Sequence, residues 1–202
     1  MIEKPWYAVA YMFCVTAFFS FFIIGLAHVT AERVKANEQL ALEKAVLTAM
    51  GLAEGKTAAQ IHQTFTDQIR PLPGGAGYEL AQNGEIAGYA VEVAGKGFWA
   101  PIAGVIGLKP DRRTVTGIAF YEQNETPGLG AEIANPPFRL QFEGLKLGSG
   151  DKPIGIKPFG SETADNEVHA ISGATQTCTR LEKLINDDLK QWLGGAAGEE
   201  IK

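Results

Sequence analysis

Two short segments hold residues whose types and spacing could do chemistry. In Ser172-Gly173-Ala174-Thr175-Gln176-Thr177, hydroxyls flank a Gly-Ala step just ahead of an amphipathic stretch, Arg180 to Leu193. Gly173 and Ala174 let a phosphate approach the backbone closely, and the free amides and positive end of a following helix favour an anion there. A threonine hydroxyl in that place can be esterified, leaving the single negative charge of a phosphodiester beside the amides. The same residues also read as an ordinary Ser/Thr helix cap, and the residues alone leave both readings open. The second segment is Glu125-Thr126-Pro127-Gly128-Leu129-Gly130. Pro127 fixes one backbone angle, while Gly128 and Gly130 permit conformations and close approaches that side chains would block. Such a loop suits laying a flat ring against the backbone with Leu129 as an apolar cover, or it simply leads out of a strand. Phe98 and Trp99 could stack on a ring or pack in a core.

The elements that must position these segments follow from periodicity and turn chemistry. From Tyr78 onward the pattern reads as strands. Tyr78 to Ala81 and Ile86 to Val93 flank Asn83-Gly84 as a hairpin. Gly104 to Leu108 and Val115 to Tyr121 flank Pro110-Asp111-Arg112-Arg113 as another pair, with the glycine-rich, aromatic Gly95 to Trp99 between the two. In the last amphipathic stretch Leu181, Leu184, Ile185, Leu189, Trp192 and Leu193 share one side, as a helix packed on a core requires. Upstream, Leu40, Leu42, Val46, Leu47 and Met50 fall at helical spacing up to Gly51. A short helix from Thr57 to Asp67 follows, with Thr57 as its N-cap. Pro71, Pro73, Gly74, Gly75 and Gly77 mark a loop.

Trp6 to Val29 contains no Asp, Glu, Lys or Arg. A helix needs about 20 apolar residues to cross a bilayer, and this run reaches that length. It is longer than a signal-peptide core, and Ala27-His28-Val29 is a poor cleavage site. Trp6, Tyr7 and Tyr11 sit at one end, where aromatic rings favour the headgroup region. The expectation is a retained single-pass anchor in the lipid bilayer. The charges flanking it are too evenly divided to orient it.

Composition excludes several classes of function. The net charge is −5 with Lys and Arg scattered, so no basic stripe exists for nucleic acid. Cys14 and Cys178 lie far apart, one in the apolar run and one in a polar loop, and neither belongs to a CxxC pair. The histidines His28, His62 and His169 are isolated from one another. No disulfide and no protein-ligated metal is expected. Cys178 reads as a small, partly buried filler.

The stretches GKGFWAPIAGVIGLKPDRRTVTGIAFYEQNETPGLGAEI and ISGATQT resemble the FMN-binding domain shared by two related families. One is the C subunit of the sodium-translocating NADH:quinone oxidoreductase, and the other is the G subunit of the Rnf-type ferredoxin:NAD oxidoreductase. The likeness runs from about Gly95 to Leu193, and ETPGLG followed by SGAT is its specific signal. The resemblance implies an FMN joined by a phosphoester to Thr175, placed there from FAD by a flavin transferase. It implies that Ser172, Gly173 and Ala174 shape the attachment site and that Glu125 to Gly130 line the isoalloxazine. Thr177 and Trp99 join the expected cofactor-binding set. Thr177 and Thr179 are competing hydroxyls, although neither follows the Gly-Ala step. One departure is His169, which stands three positions before Ser172 where the family signature carries an acidic residue.

The expected fold is therefore α+β, with a single N-terminal transmembrane helix followed by an FMN-binding domain of antiparallel strands and helices. The expected divisions are an anchor at 1–30, a helical connector at 31–75, the FMN-binding domain at 76–193 and a flexible tail at 194–202. By resemblance the chain is a redox subunit of an ion-translocating complex in the cytoplasmic membrane, with its flavin domain on the periplasmic or extracellular side and other subunits as partners. No catalytic dyad and no glycine fingerprint for NAD is present, so NADH would be oxidised elsewhere in such a complex. Two other readings stay open: a flavin-binding sensory or regulatory membrane protein outside any pump, and an assembly subunit without flavin.

Overall fold

The computed structural model describes residues 5–73 and 77–199, and the chain divides into two compact units, Met1–Gln39 and Leu40–Lys202. The first unit is helical. It forms most of α1 (Pro5–Ala49), whose residues Phe13, Phe21, Ile23, Ile24, Leu26 and Val29 are all largely exposed. This helix is long and apolar enough to cross a membrane.

The second unit is mixed α and β. Five antiparallel strands pair in chain order: β1 (Ile69–Pro71), β2 (Gly77–Gln82), β3 (Glu85–Lys96), β4 (Pro101–Leu108) and β5 (Val115–Gln123). Sequential pairing needs only short turns, and the residues supply them. Asn83 and Gly84 both take positive φ, 54° and 87°, the requirement of the I′ turn expected for the first hairpin. At the second, the Asp111 carboxylate accepts the amides of Arg113 and Thr114 at 2.9 and 2.8 Å and the Thr114 hydroxyl at 2.6 Å. The Gly95 to Trp99 stretch does not merely separate the hairpins. Lys96 pairs with Pro101, so β3 and β4 are themselves neighbours joined by the turn 97–100.

Both sheet faces are buried, by alternate residues of the same strands. Tyr89, Val91, Val93, Ile102, Ile106, Leu108, Val115 and Ile118 face α4 (Thr175–Glu199), which presents Leu181, Ile185 and Leu189 with no exposure. Ala90, Val105 and Ala119 face the other way, onto Val46, Leu47 and Ala49 and onto Ile61 of α2 (Ala58–Gln68). A central strand covered on both faces reads as a continuous apolar run, which is the character of Ile102 to Leu108. The helix expected from Thr57 is present, with Thr57 and Gln60 forming a reciprocal capping box.

The turns of helix and strand between β5 and α4 were not legible as elements. A 3₁₀ turn (Gly130–Ala134), α3 (Pro136–Arg139) and a second 3₁₀ turn (Leu140–Phe142) lead to β6 (Gly155–Lys157) and β7 (Glu167–His169), which pair in parallel. Asn186 of α4 accepts the Ile154 amide at 2.8 Å and donates to the Ile154 carbonyl at 2.7 Å, fixing the chain just before β6 to the helix. The sheet begins at Ile69, inside the segment expected to be a connector, and α4 is helical beyond Leu193 as far as Glu199. The loop expected around Gly74 and Gly75 and the last tail residues, 200–202, lie outside the described residues.

Candidate cofactor site

The two motifs, separated by more than forty positions, meet at the start of α4. The first turn of α4 carries Thr175, Gln176, Thr177 and Cys178, and its leading amides are free. Cys178 donates to the Ala174 carbonyl at 3.0 Å and Ala174 to the Ile171 carbonyl at 3.1 Å, whereas the amides of Thr175, Gln176 and Thr177 have no backbone acceptor among the described residues. Gly173 takes φ 78°, the left-handed conformation that turns the chain into the helix. Ser172, Gly173 and Thr175 are exposed, while Ala174 and Thr177 are buried.

The 125–130 loop is anchored at its ends and open at its crown. Glu125 and Gly130 are buried, and Thr126 to Leu129 are exposed. Pro127 and Gly128 occupy the middle of a tight turn in which the Leu129 amide donates to the Thr126 carbonyl at 3.1 Å, with Gly128 at φ 73°. This is the Pro-Gly pattern of a type II turn. The crown rests on the other motif: a side chain at Gly173 would place its Cβ 3.0 Å from Leu129 Cδ2.

Glu125 ties three segments together. Its Oε1 accepts the Trp99 amide at 2.9 Å and the Ala100 amide at 3.4 Å, and its Oε2 accepts the Thr177 hydroxyl at 2.8 Å. Burial alone would raise this carboxyl, but the bonds from Trp99, Thr177, Ala100 and Phe98 outweigh it and hold Glu125 below the usual carboxylate range. There is no room for a side chain around it. A Cβ at Gly97 would lie 2.5 Å from Glu125 Oε1, and one at Gly130 would lie 2.6 Å from Thr177 Oγ1. The Glu125 carboxylate turns inward and joins the β3–β4 turn, the loop and α4.

Around this clamp the surface is apolar and exposed. Trp99 is 69% exposed and packs edge-on against Phe98 with centroids 4.9 Å apart, and the Arg180 guanidinium lies 5.7 Å over the Phe98 ring. Neither ring is in the core cluster. Ser172 also borders a cleft of about 480 Å³ lined by Phe138, Gln141, Phe159, His169 and Ile171. Gln141 pins the backbone of His169, accepting its amide at 2.8 Å and donating to its carbonyl at 3.3 Å. The His169 Nδ1 atom is buried without a partner among the described residues. Gly97, Gln141 and Phe159 were not singled out from sequence. Gly97 carried a weak signal as part of a glycine-aromatic run, whereas Phe159 and Gln141 carried none.

Residues 97–190 match the model of the FMN-binding domain family, a span that takes in both motifs and the clamp between them. Those residues are similar to the FMN-binding domain family. Among curated relatives, the C subunit of the Na(+)-translocating NADH-quinone reductase from Pasteurella multocida is 39% identical over 113 residues, covering 55% of this chain and 42% of that protein. Its Vibrio anguillarum counterpart is 37% identical over 132 residues, covering 62% and 49%. The chain thus spans less than half the length of these relatives. Two crystal structures share the fold. The C subunit from Parabacteroides distasonis superposes with a TM-score of 0.69 at 24% identity, over 79% of this chain and 92% of that one. Shewanella oneidensis NqrC gives 0.63 at 20%, over 76% and 91%.

The residues fit a flavin mononucleotide. The free amides at the head of α4 suit a phosphate, the exposed Thr175 hydroxyl suits an ester, and the apolar surfaces to either side suit an aromatic ring.

Proposed function

We propose that this chain is a membrane-anchored electron carrier, the C subunit of a sodium-translocating NADH:quinone oxidoreductase or a close equivalent, holding FMN on Thr175. The observation that carries the reading is the meeting of the two motifs. Leu129 of the loop abuts Gly173, and Glu125 binds Thr177, so the loop crown and the exposed Thr175 hydroxyl form one surface at the head of α4.

When bound, FMN supplies the electron transfer, and the protein's residues hold and orient it. Thr175 provides the ester oxygen. The amides of Thr175, Gln176 and Thr177 stabilise the phosphate charge, each such charge-assisted bond being about twice as strong as a neutral one. Ser172 and Gly173 leave the backbone open to the phosphate, while Leu129 and Trp99 provide apolar surface for the ring. Among the described residues no His, Cys, Asp or Glu cluster could hold a metal, and the chain offers no NAD fingerprint, so electrons would come from and go to centres on other subunits. A covalent tether suits that duty, because a relay must not lose its cofactor between transfers. The apolar part of α1 is long enough to anchor the chain in a membrane, and by the resemblance that membrane is the cytoplasmic one with the FMN-binding domain on its outer side.

The reading is tested by extracting the chain from its own membranes in mild detergent. A yellow protein that travels with several multi-span subunits is the expected result. A yellow protein isolated alone would favour a sensory role, and a colourless one from cells with an active flavin transferase would favour a flavin-less assembly subunit.

A further inference from the structure

The first two turns of α4 present Thr175, Thr177 and Thr179, whose hydroxyls are chemically alike. Their surroundings are not. The Thr179 hydroxyl donates at 2.9 Å to the Thr175 carbonyl of its own helix. Thr177 is 3% exposed and donates at 2.8 Å to Glu125 Oε2. Thr175 is exposed, and its hydroxyl makes no hydrogen bond among the described residues. The other oxygen of Glu125 is held by the Trp99 and Ala100 amides, so the carboxylate cannot swing away from Thr177 without breaking those bonds. Gly97 and Gly130 close around the pair with no space for a side chain.

We propose that Glu125 is the positioning residue that presents Thr175 for flavin attachment. It keeps the Thr177 hydroxyl engaged and, through that bond, docks the 125–130 loop on the first turn of α4, so that the Thr175 hydroxyl alone is presented. This rests on the flavin-carrier reading above and deepens it. In the attachment step the Thr175 Oγ bonds to the FMN phosphorus of FAD as the pyrophosphate P–O bond breaks. AMP leaves, the hydroxyl proton is released, and no electrons are gained or lost. Glu125 touches none of the reacting atoms and acts through Thr177.

The test measures the initial rate of flavin incorporation into the full-length chain in detergent, with flavin transferase and FAD supplied. The attachment site is mapped by peptide mass spectrometry. Thr177→Val and Glu125→Gln should each slow labelling of Thr175 roughly tenfold, the loss expected of a hydrogen bond to a charged group. The fall should lie in kcat, because FAD is bound by the transferase. The double variant should be no slower than the slower single, since both changes break one bond. Thr177→Ser, which keeps the hydroxyl, should recover most of the rate. If Thr177→Val melts far below the wild type, Thr177→Ala carries the comparison. Wild-type rates in Thr177→Val, rates that multiply in the double variant, or a Thr177→Ser as slow as Thr177→Val would each overturn the proposal. A wild-type chain that takes no flavin overturns the carrier reading as well, whereas a labelled wild type with unaffected variants overturns this inference alone.

Discussion

At the scale of residues, the site is a division of labour between buried and exposed neighbours one or two steps apart in sequence. Glu125 and Thr177 point inward and hold segments together, while Thr126 to Leu129 and Thr175 remain on the surface for a ligand. The clamp depends on ionised Glu125, which gives the fold a pH dependence. The Glu125 carboxyl is held below the usual range, so its contribution is complete above the ordinary glutamate pKa and is lost as pH falls through the lower folded value. At pH 7 we expect Glu125→Gln to cost about 1.5–3 kcal/mol, the usual worth of hydrogen bonds to a charged group. Denaturant unfolding at a series of pH values checks this. The gap between wild type and variant should narrow towards acid, and a constant gap would contradict the assignment. The motifs were legible because glycine, proline and hydroxyl residues stand out by type. The roles within them were less so: nothing in the residue types distinguishes a glutamate that lines a ligand from one that faces inward, and that depends on where Trp99 and Thr177 arrive.

At the scale of elements, the sequence was most informative where local chemistry decides. The Asn83-Gly84 turn, the Thr57 cap and the amphipathic face of α4 are each set by a few adjacent residues, and each is present as expected. Replacing Thr57 by Ala should lower stability by about 1 kcal/mol, within the 0.5–2 kcal/mol range of N-cap losses. The exchange protection of α2 amides should fall with it, while α4 protection changes no more than global stability does. What was missed is short and held by distant partners. β1 spans only Ile69–Pro71 and ends on a proline, which only an edge strand tolerates. β6 and β7 are three residues each; β6 is fixed to α4 by Asn186, which holds Ile154 just before it, and by the Ile156 amide bonded to Glu182, and β7 pairs with β6. Elements of that length have no periodicity to read.

At the scale of the whole molecule, the carrier role proposed above needs an apolar helix and an α+β domain on one chain, and both are present. The side of the membrane is open to direct measurement. Ser161 is exposed in the second unit, Cys178 is buried, and Cys14 lies in the apolar part of α1. A Ser161→Cys chain in intact cells should react with a membrane-impermeant maleimide, and labelling only after lysis would place the domain in the cytoplasm. The ester on Thr175 is read directly by the flavin fluorescence of the denatured band. The full chain and its Thr175→Val variant are each co-expressed with an active flavin transferase and run side by side on a denaturing gel. The wild-type band should fluoresce, and the variant band, of equal protein content, should be dark. A dark wild-type band beside a labelled control protein, or a variant as bright as the wild type, would contradict the ester on Thr175.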